Sequence, residues 1–158
     1  MFKATLVSIA IATCAACATA HAQPVSPIDA RIRSQVAEII RGINAKEIDK
    51  ATKYDAPDLI SMESGRAPSA GAMADRDGLS MAFKYSPSWH LTMIDETVDV
   101  AKVGDMAVYR GTYAEDSTRD GVPFTHTGNY VAGFWLDPDG VWRVHWSVIA
   151  WQSPSHKK

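Results

Sequence analysis

The second half of the sequence, from Trp89 onward, consists of long extended segments separated by short turns. Residues 89–103, 106–117, 122–136 and 141–152 are rich in β-branched and aromatic side chains, which favour strands. The turns between them contain Gly104-Asp105, Asp120-Gly121 and Asp137-Pro138-Asp139-Gly140. Because turns this short join antiparallel neighbours, the sequence predicts a four-stranded antiparallel meander.

The first half of the sequence has helical features instead. Ser26-Pro27-Ile28-Asp29 combines a capping hydroxyl, a first-turn proline and an acidic residue, and apolar residues follow at helical spacing from Ile32. Shorter helices are predicted over residues 46–54 and 77–85, ended by Pro57 and Pro87, with a short strand over 59–63 and a loop over 64–74. Helices followed by a meander predict an α+β fold in which the helices cover one face of a curved antiparallel sheet.

The N-terminal residues have the pattern of a secretory signal peptide. Lys3 precedes an apolar and alanine-rich stretch, residues 4–20, and Ala20-His21-Ala22 is a small-x-small cleavage signal. We therefore expect a signal peptide over 1–22, one domain over 23–158 and a periplasmic or secreted protein. A lipoprotein is the alternative. Cys14 and Cys17 both precede the cleavage site, so the mature chain has no thiol and no disulfide.

Several function classes have no support in the sequence. The formal net charge is −2 without a block of like charges, which argues against nucleic acid or a membrane surface as a partner. There is no Gly-x-Ser-x-Gly, Gly-x-Gly-x-x-Gly or phosphate-binding lysine motif. The histidines have no metal-ligand spacing. We expect no cofactor, no metal and no membrane span.

The last two strands indicate how the sheet is covered. If Leu136 pairs with Val141, His145 lies opposite Ala132 and His126 opposite Trp151. One face is then wholly apolar: Val131, Gly133, Trp135, Trp142, Val144, Trp146 and Val148. The other mixes aromatic and polar groups: Tyr130, Ala132, Phe134, Arg143, His145, Ser147 and Ile149. Because helices cover only one face, the pattern predicts a homodimer through the sheet.

The order of elements and several local patterns resemble a known superfamily. The similarity extends over residues 36–151, and the segments 104–111 and 139–145 carry it most specifically. They resemble the nuclear transport factor two-like superfamily, and within it the SnoaL-like and ketosteroid-isomerase-like domains. The resemblance implies a cone-shaped, strongly curved sheet packed on N-terminal helices, with an apolar pocket between them and usually a dimer.

Ketosteroid isomerases carry a carboxylate base on the first strand after the helices, and an oxyanion hole made by a tyrosine and a protonated aspartic acid. In this sequence Met62 aligns with the base, Glu63 lies beside it, and a shift of one residue would reverse the face. The first helix has no tyrosine. Ketosteroid isomerisation itself is therefore not expected.

Two residues are candidates for acid/base catalysis. Glu63 would act as a general base if it pointed into the pocket, and the alternative is a strand-end glutamate in water. His145 would carry a proton, and the alternative is a core or interface histidine. The candidate ligand-binding residues are Tyr109, Tyr113, His126, Tyr130 and Ser147. The alternative is that these residues form a plain aromatic core.

Together these observations favour an exported SnoaL-like domain that binds a small, mainly apolar molecule in a cone-shaped pocket. Cofactor-free acid/base chemistry, such as isomerisation, cyclisation or dehydration, would fit the candidate residues. The alternative is a non-catalytic, homo-oligomeric assembly or interaction module whose own aromatic side chains fill the pocket.

Overall fold

The structure of the protein is a computed structural model that describes residues 26–119 and 122–152. The predicted signal peptide, Cys14 and Cys17, and the predicted turn at Asp120-Gly121 lie outside the described residues. Within the described ranges, none of the helices combines the length and the hydropathy needed to cross a membrane.

Three helices precede most of the sheet. Helix α1 spans Pro27–Ala45 and begins as predicted, with the Ser26 hydroxyl accepting a hydrogen bond from the Asp29 backbone N–H. Helix α2 spans only Ile48–Ala51, so the prediction of a helix over 46–54 was too long, and Pro57 lies in a strand. Helix α3 spans Ala72–Tyr85 and begins within the predicted loop.

The sheet has six strands in the order β2-β1-β6-β5-β4-β3. Their bounds are β1 Asp55–Glu63, β2 Ser69–Ala70, β3 His90–Val100, β4 Met106–Arg119, β5 Val122–Leu136 and β6 Trp142–Trp151. The antiparallel pairing of β3, β4, β5 and β6 confirms the predicted meander. Strand β1 was predicted, but its parallel pairing with β6 was not. The α+β class with a curved, unclosed sheet is confirmed.

The register of the last hairpin differs from the prediction. Leu136 pairs with Trp142 and Phe134 with Val144, and the register then shifts so that Gly133 pairs with Trp146. The extra residue is a bulge at His145. Trp142 and Val144 are therefore buried on the same face as Phe134, and the predicted wholly apolar opposite face was wrong.

The new starting register and the bulge each contribute one position to a two-position shift in the predicted partners of the two histidines. Ala132 lies opposite Ser147 rather than His145, and Trp151 lies opposite Gly128 rather than His126. A bulge adds one residue to one strand, so every pairing beyond it shifts by one position. The shift restores Ser147 and Ile149 to the face on which they were predicted, beside Ala132 and Tyr130.

Helix α1 packs on one face of the sheet, called here the inner face. Ile32 and Val36 of α1 pack with Tyr109 and Phe134 in the first core cluster. Each fully buried side chain of this kind contributes about 1.5–3 kcal/mol of hydrophobic stabilisation. A polar clamp fixes the end of the helix, because the Asn44 amide bonds both the N–H and the C=O of Leu91, at 2.8 and 2.9 Å.

Helix α3 is held more loosely than α1. It contacts α2, β1 and β2, and none of the residues from Ala72 to Tyr85 is fully buried. Leu79 and Phe83 pack at the margin of the second core cluster, which is built around Ile43, Leu91 and Tyr113. The space between α3, α1 and the inner face is the interior of the cone.

Candidate functional site

The structure brings most of the predicted site residues to the inner face. Strand register, together with packing in the two core clusters, places six of these side chains on that face. They are Glu63, Tyr109, Tyr113, His126, Tyr130 and Ser147. Glu63 pairs with Ile149 and Ser61 with Ser147, whereas Met62 lies opposite Val148 on the other face. Glu63, not Met62, therefore has its side chain on the inner face.

His145 is not part of this group. It stacks on Trp135 of the outer face, with ring centroids 4.3 Å apart. Its Nε2 lies 2.9 Å from Asp137 Oδ1 in a hydrogen bond, whereas Nδ1 lies 3.1 Å from Asp58 Oδ1 without hydrogen-bond geometry. His145 follows the inward-facing Val144 by one position and therefore points outward, which separates the two predicted catalytic residues, Glu63 and His145.

A group of residues from β1, α3 and β5 is called here the Asp55 cluster: Asp55, Ser61, Asp75 and Tyr130. The Oδ2 atom of Asp55 is inaccessible to solvent and has no hydrogen-bond partner among the described residues. Burial, followed by the charge of Asp75, raises the pKa of the Asp55 carboxyl to about 8. At neutral pH this carboxyl is therefore mostly protonated and able to donate a hydrogen bond.

Asp75, at the start of α3, has an environment of the same kind. Burial raises its pKa, hydrogen bonding from Ser61 acts in the opposite direction, and the charge of Glu63 raises it again. Two carboxyl groups that interact electrostatically in a desolvated site do not ionise independently. The negative charge of Asp75 therefore favours the protonated form of Asp55.

Tyr130 links this pair of carboxyls to the middle of the sheet. Burial raises the pKa of its hydroxyl, and the charges of Asp55 and Asp75 add to the effect. Tyr130 is half-buried as a residue, while its hydroxyl lies in the same desolvated environment as the two carboxyls.

A second group lies where β1 and β4 end and β3 begins, and is called here the Glu115 cluster: Glu63, Trp89, Tyr113 and Glu115. Tyr113 is 4% exposed, and its hydroxyl has no hydrogen-bond partner among the described residues. Gly128 makes room for this phenol, because a Cβ at that position would lie 2.5 Å from Tyr113 Cζ. Burial raises the pKa of Tyr113, as do the charges of Glu115 and Glu63.

Glu115 is the most buried carboxylate of the second cluster, at 8% exposure. Its Oε2 makes no hydrogen bond, and His126 Nε2 lies 3.6 Å away. Burial raises the pKa of Glu115, the nearby Trp89 indole N–H opposes this, and the charge of Glu63 raises it further. The Trp89 Nε1 makes no hydrogen bond of good geometry, so the indole faces the carboxylate at a longer distance.

The remaining predicted residues have structural partners. The Tyr109 hydroxyl is buried and donates to Glu96 at 3.0 Å, and the Ser147 hydroxyl donates to Ser61 at 3.2 Å. Glu63 accepts from Arg66 at 3.0 Å. His126 stacks on Phe124 and meets Trp151 edge-on, with ring centroids 4.7 Å apart for the second contact.

A groove of about 330 Å³ also runs outside the cone, between α1 and β3. Arg33 in this groove already pairs with Asp29 and Glu96. Buried polar atoms without a hydrogen-bond partner on Asp55, Trp89, Tyr113 and Glu115 belong to the two clusters above, so we place the candidate site in the cone. Among residues 26–119 and 122–152, no three His, Cys, Asp or Glu side chains have the geometry of a metal site.

Solved structures with a similar fold decide the architecture. A nuclear transport factor 2 (NTF2-like) superfamily protein from Salmonella enterica superposes with a TM-score of 0.72 at 12% identity, covering 81% of this chain and 93% of that one. The chain has the NTF2-like fold.

Other NTF2-like neighbours agree with this architecture. A ketosteroid isomerase-like protein from Erwinia carotovora atroseptica has a TM-score of 0.65 at 17% identity, with 79% and 96% of the two chains covered. Aln2 from a Streptomyces species has a TM-score of 0.68 at 15% identity, with 80% and 92% covered. No protein-family model and no curated protein sequence matches the chain.

The sequence analysis missed four residues that this NTF2-like cone brings to its inner face: Asp55, Asp75, Trp89 and Glu115. Glu115 had a usable signal, because it continues the alternation of Tyr109, Gly111 and Tyr113 by one more step. Asp55 and Asp75 had none. Their environment depends on the parallel pairing of β1 with β6 and on the early start of α3.

Proposed function

We propose that the chain binds a small, mainly apolar molecule inside the cone and holds its polar end at the Asp55 cluster. The observation that carries this proposal is the buried, unpartnered Oδ2 of Asp55, next to the charge of Asp75. A buried polar atom without a partner costs about 1–3 kcal/mol, which a ligand hydrogen bond would recover. The aromatic and aliphatic walls account for the apolar part of the molecule.

The proposed chemistry is cofactor-free proton transfer next to a carbonyl group. Protonated Asp55 donates to the carbonyl oxygen, and the Tyr130 hydroxyl supplies a second donor. Ionised Asp75 removes the proton from the neighbouring carbon, so that the two carboxyls take opposite roles set by their coupling. Glu63 is the next carboxylate on the same strand face and would exchange the proton with solvent. Isomerisation, cyclisation and dehydration all use these steps.

Binding can be tested with acetylnaphthalene, an aromatic ketone, against ethylnaphthalene, which lacks the carbonyl. We expect the ketone to bind more tightly at neutral pH and to lose about tenfold in affinity one pH unit above the Asp55 pKa of about 8. The Asp55→Asn variant should bind the ketone without this pH dependence. Asp139→Asn, an exposed aspartate at the β5–β6 turn, is the matched control and should behave as the unmodified protein.

Tryptophan fluorescence measures this binding, because Trp89 and Trp151 lie beside the inner-face core cluster around Tyr113. Equal, weak and pH-independent binding of both naphthalenes would contradict a carbonyl-binding role for Asp55. Absence of saturable binding by either compound would contradict a small-molecule site in the cone.

Export and a homodimer remain part of the proposal. The signal-peptide pattern of residues 1–22 supports a periplasmic or secreted location, and cell fractionation tests it. A homodimer through the outer face is supported by Trp135, a large apolar side chain of that face that is 43% exposed. The same observation supports the second candidate function, a non-catalytic homo-oligomeric assembly module, which would dimerise without binding either naphthalene.

A further inference from the structure

We infer that the Glu115 cluster binds the ammonium group of an aromatic amine. The groups involved are the Glu63 and Glu115 carboxylates, the Tyr113 hydroxyl and the Trp89 indole. This inference rests on the proposed function, since the ligand would occupy the same cone. It adds the chemical class of the molecule: an apolar aromatic body with a cationic end.

Unsatisfied buried atoms are the first observation. Tyr113 and Glu115 are 4% and 8% exposed, and neither Tyr113 Oη nor Glu115 Oε2 makes a hydrogen bond. Both atoms can accept a hydrogen bond, and a carboxylate accepts several. An ammonium group carries three donors and no acceptor, so its donors match these two acceptor atoms.

Charge is the second observation. Glu115 and Tyr113 both experience the negative charge of Glu63, and Asp75 does so as well. Arg66 pairs with Glu63 at 3.0 Å but is 71% exposed, so solvent screens much of its charge. His126 Nε2 approaches Glu115 only to 3.6 Å. A cation placed among these carboxyl groups would relieve their mutual repulsion.

Aromatic walls are the third observation. Trp151 meets the Tyr113 ring edge-on at 6.0 Å, and Phe83 lies 5.9 Å from Trp89. The protein already places one ammonium here, because Lys46 Nζ lies 5.5 Å from the Phe83 ring and 6.0 Å from the Trp89 ring. Lys46 donates to the backbone carbonyls of Ile43 and Trp89 and has no hydrogen bond to Glu115. The faces of tryptophan and tyrosine rings attract cations electrostatically.

An organic cation fits this site better than a metal ion. Hard divalent ions require several converging oxygen ligands, and no such group of three exists in the described part of the chain. Glu63 of the Glu115 cluster lies at the end of β1, and Asp55 lies at its start. A ligand in the cone would therefore place its ammonium group at the Glu115 cluster and its hydrogen-bond acceptor at the Asp55 cluster.

Three indoles of similar size test the inference: tryptamine, tryptophol and indolepropionate, which are cationic, neutral and anionic at neutral pH. Isothermal titration should show tryptamine binding at least about tenfold more tightly than tryptophol, and indolepropionate the weakest. In Glu115→Gln, tryptamine should lose about tenfold while tryptophol is unchanged. Asp116→Asn removes a charge from the next, exposed position of β4 and should leave all three affinities unchanged.

The outcomes separate this inference from the proposed function. Equal binding of tryptamine and tryptophol would overturn the amine site, while acetylnaphthalene binding would still support a ligand in the cone. No tryptamine binding would overturn it as well. If Glu115→Gln does not fold, Glu63→Gln provides the same comparison, because Glu63 is more exposed and tolerates the change. A loss of tryptamine affinity in Asp116→Asn equal to that in Glu115→Gln would also refute the site.

Discussion

Asp55 makes the stability of the protein depend on pH in a direction opposite to that of most carboxylates. Its pKa is about 8 in the folded protein, against an ordinary value near 3.8. The folded state therefore holds a proton that the unfolded chain releases above about pH 4. Stability must then fall as pH rises between these two values, and above the folded pKa the full penalty is present.

The magnitude follows from the linkage relation, in which each unit of pKa difference corresponds to about 1.4 kcal/mol. Between about pH 5 and about pH 8, Asp55 alone should cost the folded state about 3 kcal/mol. In a domain of this size that loss lowers the melting temperature by about 10 °C. Asp55→Asn keeps the side-chain volume and removes the titration, so it should be more stable than the unmodified protein at the upper end of this range.

Urea denaturation at a series of pH values, followed by tryptophan fluorescence, measures the effect. Asp139→Asn is the control, because Arg143 lowers the pKa of Asp139 to about 2 and it stays ionised throughout this range. Asp75 and Glu115 also have raised pKa values, so the difference between Asp55→Asn and the unmodified protein is the informative quantity. Parallel stability profiles for these two proteins would refute the burial argument for Asp55.

Three further predictions concern packing and assembly. Gly128→Ala should destabilise the protein by about 1–3 kcal/mol and shift the near-ultraviolet signal of Tyr113, because the new Cβ overlaps its ring. Asn44→Ala should cost about 2–3 kcal/mol in urea denaturation, since it removes both hydrogen bonds to the Leu91 backbone, and unchanged stability would contradict this. Trp135→Ser should weaken self-association in sedimentation experiments without lowering acetylnaphthalene binding, whereas an unchanged dimer would exclude the Trp135 surface as the interface.

Local sequence signals predicted the elements more successfully than the site. The Ser26 cap and the turns at Gly104 and Gly140 are encoded by adjacent residues, and the structure has them where the sequence indicates. Strand β5 has the predicted bounds, Val122–Leu136. These features depend on contacts within a few residues, which periodicity and turn chemistry describe well.

Long-range pairing was less accessible to sequence reasoning. The starting register of the last hairpin, in which Leu136 pairs with Trp142 rather than Val141, has no local signal, and it places His145 on the outer face and Val144 in the core. Asp55 is an ordinary polar residue in the sequence, and it becomes a buried, protonated acid only because β1 pairs with β6 and α3 brings Asp75 towards it. The chemistry of the candidate site therefore depends on pairings between elements that are distant in the chain, such as β1 with β6, which local sequence patterns do not predict.

The loose attachment of α3 has a consequence for how such a protein can change over evolutionary time. Because no residue between Ala72 and Tyr85 is fully buried, substitutions in this helix should cost little folding free energy. Met73, Met81 and Tyr85 are more than half exposed and are free to vary. One wall of the cone can thus acquire new shapes and charges while the six-stranded sheet stays intact, so selectivity for a bound molecule can drift without loss of a stable scaffold.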